Sequence, residues 1–249
     1  MNEKILIFDT ETIGLEKAFC YNIGWVVLDL ETYEKIVKKD YVVKQFWENK
    51  PLFETAYYSD KKDIYIKLLR SRKAKIKHYG HIMLELIKDI ENYNIKYMYA
   101  FNSPFDMKVL NFNCEWFKCS NPLDYVKTLD IRALINNIIF DKNYKDFCIK
   151  NNLITPANNL QVNAEAIYKF ISQDPDFIEE HTALSDSLIE TEILIYLHKK
   201  GIDIMEEKKV YNKITSNIER DFIINYENET YVFKYKTKTT RKETIYLKR

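Results

Sequence analysis

An apolar run, Ile5-Leu6-Ile7-Phe8, leads straight into Asp9-Thr10-Glu11-Thr12-Ile13-Gly14. Such a run, flanked by polar residues, reads as a short buried strand from Lys4 to Phe8. Any fold that accepts this strand has to find a place for two carboxylates at its end. Two further blocks also set acids at element boundaries. Ala100-Phe101-Asn102-Ser103-Pro104-Phe105-Asp106 ends a strand pattern, Lys96 to Phe101, and opens a helix at Pro104. His181-Thr182-Ala183-Leu184-Ser185-Asp186 opens a helix from Thr182 to Lys199, with apolar residues four apart at Leu184 and Leu188, and at Ile189, Ile193 and Leu197.

Each block has a plain structural reading. Asp9 and Glu11 suit a strand-to-turn transition. Ser103, Pro104 and Asp106 suit an N-cap, a first helical residue and the far end of a capping box. Asp186 suits a first helical turn, where the macrodipole favours an acid, and His181 suits an ordinary surface position. Jointly the blocks fit one chemistry. Carboxylates without cysteine or histidine partners suit hard cations such as Mg²⁺ or Mn²⁺. Two such ions side by side activate a water and neutralise a leaving oxygen on phosphorus. A histidine beside them takes the proton. These are the parts of a metal-dependent phosphodiesterase.

In order, the blocks resemble the three exonuclease motifs of the DEDDh (DnaQ-like) 3′–5′ exonucleases, and the His181-to-Asp186 spacing is that of the histidine subclass. The resemblance covers residues 3 to 199. It implies a ribonuclease H-like α/β fold, a mixed five-stranded sheet flanked by helices. It implies that Asp9, Glu11, Asp106 and Asp186 hold two divalent cations, Mg²⁺ or Mn²⁺, and that His181 is the general base. Asp9 would touch both ions, and Asp106 would reach the second, often through water. Thr10, Thr12, Leu15, Asn102 and Phe105 fall where the family meets or supports its nucleic acid. Ile13, Phe101 and Lys127 depart from the family pattern, and none of them replaces a ligand. The implied function is release of 5′-nucleoside monophosphates from single-stranded DNA or RNA with a free 3′ end, DNA favoured. An exoribonuclease of the same family is the alternative. A binding module that lost the reaction is a second, against which the intact acids and histidine argue. Some relatives dimerise and one serves a polymerase, but no dimer patch or polymerase-facing surface stands out in the sequence.

At 249 residues the chain has room for one sizeable core with an appendage. The expected division is an exonuclease domain over 1–200 and an extension over 201–249, packed on the core. The formal net charge of +1 excludes little, since a nuclease cleft need only be locally positive. Cys20, Cys114, Cys119 and Cys148 are scattered, without a second pair or nearby histidine that would make a zinc site. With a charged strand at the start, no signal peptide pattern and no membrane-length apolar run, they point to reduced thiols in a cytoplasmic protein.

Two segments lie outside the motifs. Lys61 to Lys77 carries eight lysines and arginines, Lys61, Lys62, Lys67, Arg70, Arg72, Lys73, Lys75 and Lys77. It reads as a solvated face, with a phosphate-contacting rim as the functional alternative. In the tail, a charged helical stretch is expected after Ile202, then a basic hairpin pairing Thr230–Lys236 with Thr244–Arg249 across a turn at Thr237–Arg241. His78 and His81 sit one helical turn apart, with no acid or cysteine to complete a metal set, and read as surface histidines.

Overall fold

The computed structural model describes residues 3–14, 18–56, 59–205, 210–226 and 229–245. The chain divides into two compact units, Met1–Met205 and Glu206–Arg249.

The first unit is built on strands β1 (Lys4–Thr12), β2 (Cys20–Asp29), β3 (Lys35–Val43), β4 (Lys75–Lys77), β5 (Tyr97–Ala100) and β6 (Lys127–Asp130). Its helices are α1 (Lys44–Trp47), α2 (Lys50–Phe53), α3 (Lys62–Arg70), α4 (Tyr79–Asn92), α5 (Ser103–Phe117), α6 (Ile131–Leu134), α7 (Asn136–Ile139), α8 (Lys142–Lys150), α9 (Ala164–Ser172) and α10 (Ala183–Lys199). The strands form one mixed sheet in the order β4-β3-β2-β1-β5-β6. β1, β2 and β3 make an antiparallel meander, while β4, β5 and β6 join their neighbours in parallel. The expected α/β architecture stands, with six strands rather than five. The additional strand is β4, three residues from the basic run. Its lysines lie on a sheet edge, where charge blunts pairing with other chains. That charge makes it read as a solvated face.

Every residue of β2 is buried, and β1 is buried at all but its ends and Asp9. Side chains alternate across a strand, so these two central strands feed both faces of the sheet. Leu6, Phe8, Trp25 and Val27 pack with Ile82 and Leu86 of α4 and Val109 and Leu110 of α5. Ile5, Ile7 and Leu28 pack on the opposite face with Ile167 and Phe170 of α9 and Ile189, Ile193 and Leu194 of α10. The sheet is thus covered on both sides, and the ends of β1 and β5 open between the two helical layers.

Residues Ile131–Ile139 form two short helices, α6 and α7, that meet at Ile135. α8 begins at Lys142, where the Asp141 carboxylate accepts from the Asn143 N–H at 2.9 Å.

The second unit is an antiparallel hairpin of β7 (Val210–Tyr226) and β8 (Glu229–Ile245), with Tyr226 opposite Glu229. This corrects the expected tail. The charged stretch is strand, not helix, and Thr237–Arg241 lies inside β8 rather than in a turn. The spacing of Val210, Ile214, Ile218 and Phe222 explains the misreading. A step of four keeps to one face of a helix and also to one face of a strand. Residues 246–249 of the expected second strand lie outside the described residues. Among the described residues no helix is long and apolar enough to cross a membrane.

Candidate active site

β1 does not stop at Phe8 but runs on through both acids to Thr12, with an irregularity between Glu11 and Thr12. Asp9 and Glu11 are two apart and therefore share a face, the one that α10 covers. Opposite them on β2 stand Gly24 and Asn22. Both residues serve to seat α10. A Cβ on Gly24 would lie 2.3 Å from the Leu184 backbone nitrogen, so only glycine lets the first turn of the helix come this close. The Ser187 hydroxyl donates to the Gly24 carbonyl at 3.1 Å, and the Ala183 N–H donates to Asn22 Oδ1 at 2.8 Å. Asn22 is itself fixed, donating to Asp40 Oδ1 at 2.6 Å and to the Tyr41 carbonyl at 3.0 Å. Thr182 and Ser185 close a reciprocal capping box at the helix start. The outcome is that Asp186, in the first turn, meets the β1 acids. One carboxylate oxygen each from Asp9, Glu11 and Asp186 lie within 4.8 Å of one another.

Asp106 arrives from the other face, on α5. It is not a capping-box partner: Asn102 is the N-cap of α5, in a left-handed conformation with φ 64°. Its place at the α5 start is taken by Asp130 at the end of β6, which accepts from the backbone N–H groups of Asn102 at 2.9 Å and Ser103 at 3.4 Å while also capping α6 through the Arg132 N–H at 3.0 Å. That leaves the Asp106 carboxylate free to accept from Thr10 Oγ1 at 2.6 Å. Since Thr10 points away from the face shared by Asp9 and Glu11, Asp106 stands behind the three-carboxylate group rather than in it.

The electrostatics follow from packing these acids together out of water. Burial, then Asp106 and Asp186, push the Asp9 carboxyl well above the usual carboxylate range. Burial and Asp186 push Glu11 up to about 9. Burial and Glu179 push Asp186 up to about 8. Burial pushes Asp106 up to about 7, against the Thr10 hydrogen bond, which favours the ionised form. Such a set is costly to ionise without a cation. Three convergent oxygen donors with a fourth behind them fit one or two hard divalent ions.

His181 sits at the entry to α10 with φ 53°. Its Nδ1 lies 3.5 Å from Glu179 Oε2, and Glu165 of α9 completes a second group of ligand-type atoms within 4.8 Å. That group already has a cation, because Lys169 Nζ pairs with Glu165 Oε1 at 2.6 Å. Burial and the charge of Lys61 hold the His181 imidazole below its ordinary value. Lys61, just before α3, also eases the ionisation of Glu11 and Asp186. Of the basic run, then, Lys61 faces the acids, whereas Lys77 is paired with Glu85 of α4.

Glu179 and Glu190 are additional acids that motif reading misses. Glu190 is 2% exposed, its Oε2 lacks a hydrogen-bond partner, and burial with Asp106 pushes its carboxyl well up. Its position four residues after Asp186, on the same helical face, is a signal the sequence does contain. Among the expected nucleic-acid contacts, Thr10 is buried with its hydroxyl spent on Asp106. Thr12 is half-buried at the end of β1, Asn102 is exposed, and Phe105 is half-buried against the α4–α5 side of the core. Leu15 lies outside the described residues. All four cysteines are free thiols. Neither His78 nor His81 belongs to a cluster of metal-ligand type among the described residues.

Comparison of the sequence finds no matching family model and no matching curated protein. Comparison of the structure does find similar folds. The nuclease domain of 3′hExo, a DEDDh family member bound to rAMP, is 18% identical with a TM-score of 0.53, over 84% of this chain and 98% of that one. A 3′-exonuclease in a structure of 3′-end-specific recognition of histone mRNA stem-loop is 16% identical with a TM-score of 0.55, over 93% and 91%. A full-length 3′-exonuclease is 16% identical with a TM-score of 0.52, over 93% and 67%. The fold is that of the DEDDh 3′ exonucleases, a ribonuclease H-like α/β sheet flanked by helices.

Proposed function

We propose that the chain is a metal-dependent 3′–5′ exonuclease that releases 5′-nucleoside monophosphates from single-stranded nucleic acid. The observation that carries this reading is the convergence of Asp9, Glu11 and Asp186 within 4.8 Å, on a fold shared with DEDDh 3′ exonucleases. Asp9, Glu11 and Asp186 would hold the divalent cations, with the Asp106 carboxylate adding a fourth acid beside them. Bound Mg²⁺ or Mn²⁺ supplies activation of water and neutralisation of charge at phosphorus. His181 takes the proton of the attacking water, a role its lowered affinity for protons suits at neutral pH. Lys61 offsets the negative charge of the acids toward an incoming phosphate. The bond to the 3′ oxygen of the penultimate nucleotide breaks, leaving a chain one residue shorter.

DNA is the first substrate to try. RNA has its own claim, because two of the similar structures carry rAMP or concern an mRNA stem-loop. The 2′-hydroxyl is what separates the two. The test is digestion of 5′-labelled single-stranded DNA and RNA, each with Mn²⁺ or with EDTA. A ladder shrinking by single nucleotides, absent with EDTA, is expected, and the faster strand names the preferred substrate. Internal cuts on a circular single strand would overturn the exonuclease reading.

A further inference from the structure

An imidazole that serves as a base must keep one nitrogen unprotonated, and the partner of the other nitrogen decides which one. At His181 that partner is Glu179. Nδ1 lies 3.5 Å from Oε2 of Glu179, two residues earlier in the chain. Glu179 is buried, at 9% exposure, so its carboxylate is not freely solvated and gains from a donor. The backbone is bent to make this meeting. His181 holds a left-handed φ of 53°, uncommon for a residue with a side chain, directly before the capping box that anchors α10. Behind the pair, α9 supplies Glu165 and Lys169, whose ion pair at 2.6 Å places a positive charge beside the two glutamates. Lys169 accordingly favours the ionised form of Glu179.

We propose that Glu179 is the positioning residue of His181: its carboxylate accepts the Nδ1 proton, leaving Nε2 as the base. This rests on the exonuclease reading for its consequence, not for its geometry. In the reaction, Nε2 takes one proton from water as the oxygen attacks phosphorus. The ring becomes an imidazolium, still bonded through Nδ1–H to Glu179, and Nε2 then returns its proton to solvent. No proton passes to Glu179. The groups around the dyad set its pH dependence. Burial and Glu165 push Glu179 up to about 7 against Lys169, and burial and then Lys61 lower His181 against Glu165. Glu179 also bears on Glu11 and Asp186, so an effect transmitted through the acids has to be separated from one transmitted through His181.

The experiment uses the full chain with Mn²⁺ and a 5′-labelled single-stranded oligonucleotide. Glu179→Gln, His181→Ala and the double variant are compared. Glu179→Gln is expected to lower kcat ~10–100-fold with KM unchanged, taking the scale seen for carboxylate partners of metal-bound imidazoles. It should also displace the limb of the pH–rate profile near neutrality. In the His181→Ala background the same change should cost nothing further, because residues acting as one unit are not additive. A further loss in that background would overturn the proposal and assign Glu179 to the acids. A second readout needs neither metal nor turnover. ¹⁵N spectra of the imidazoles in the metal-free protein should show His181 as the Nδ1–H tautomer above pH 8 in wild type, and that preference lost in Glu179→Gln. An Nε2–H tautomer in wild type would overturn the proposal even if the protein digested no nucleic acid. If digestion failed while the tautomer held, the exonuclease reading would fall and the dyad would stand. Should Glu179→Gln not fold, Glu179→Asp, which shortens the reach and keeps the charge, is expected to retain the tautomer with reduced kcat.

Discussion

Asp106, Asp186, Glu190 and Glu11 all act on the Asp9 carboxyl, which burial already pushes up. Asp9→Asn therefore removes a ligand and a repelling charge together. It should abolish turnover while leaving the metal-free protein at least as stable as wild type. It should also erase most of the thermal gain that saturating Mn²⁺ gives wild type, about 2.7 kcal/mol at a hundredfold excess over the dissociation constant. Melts with EDTA and with Mn²⁺ check both halves, and an equal Mn²⁺ gain in both proteins would place the ion elsewhere. His181→Ala should slow turnover by ~10²–10⁴-fold without loss of that gain. Lys61→Gln should weaken binding to single strands and reduce the slope of log affinity against log salt by about 0.7. An unchanged slope would leave Lys61 without a phosphate contact. The convergence of Asp9, Glu11 and Asp186 was legible because each lies in a short block of sequence that carries its own context. What Thr10, Glu179 and Glu190 do was not legible, because each is decided by a neighbour brought in by the fold. Thr10 reads as a nucleic-acid contact until Asp106 is seen 2.6 Å away.

At the scale of elements, the site depends on how closely α10 lies on β2. Gly24 sets that distance, for a Cβ there would meet backbone atoms of Ala183 and Leu184 at 2.3–2.6 Å, and backbone cannot swing aside as a side chain can. Gly24→Ala should push the first turn of α10 off the sheet and carry Asp186 and His181 with it. The expected result is a loss of stability of about 1–3 kcal/mol, the usual cost of overpacking. A fall in kcat should accompany it, out of proportion to the melting shift, because one ångström of misplacement is expensive in catalysis. A melt and a rate measured on the same preparation test this, and wild-type values for both would show that α10 stands further away. Asn22, opposite Glu11, does related work through four hydrogen bonds, to Asp40, Tyr41, Tyr65 and Ala183. Neither residue could be picked out from sequence, since a glycine or asparagine in a strand has no pattern that announces its partner. The strands and long helices were legible where apolar periodicity is unambiguous, as in Ile5–Phe8 and from Ile189 to Leu197. β4 was hidden by its charge, and β7 by a spacing of four that two periods share.

At the scale of the molecule, the crowded acids tie stability to pH. In the metal-free fold Asp106, Asp186 and Glu11 titrate near 7, 8 and 9, against ordinary values of 3.8, 3.8 and 4.5. At a pH between those limits the folded state holds protons that the unfolded chain has released. Stability then falls as pH rises, by the linkage between proton uptake and unfolding. The contribution of these groups is complete below about pH 4 and is lost progressively as pH climbs through the folded values from 7 to 9. Asp29, held low by the Thr32 N–H, has the opposite sign and weakens the fold only in acid. A divalent cation changes the dependence, because it takes the ionised carboxylates and expels their protons on binding. Its affinity, and the stability it adds, should therefore grow with pH. Melts at pH 6 and pH 8.5, each with EDTA and with Mg²⁺, give four numbers that test this. With EDTA the melting temperature should be lower at pH 8.5 than at pH 6. The gain from Mg²⁺ should be larger at pH 8.5. An EDTA melting temperature that stays level or rises across this interval would mean that the acids are already ionised in the metal-free fold, and that the crowding of carboxylates at the end of β1 is relieved by something other than the ion.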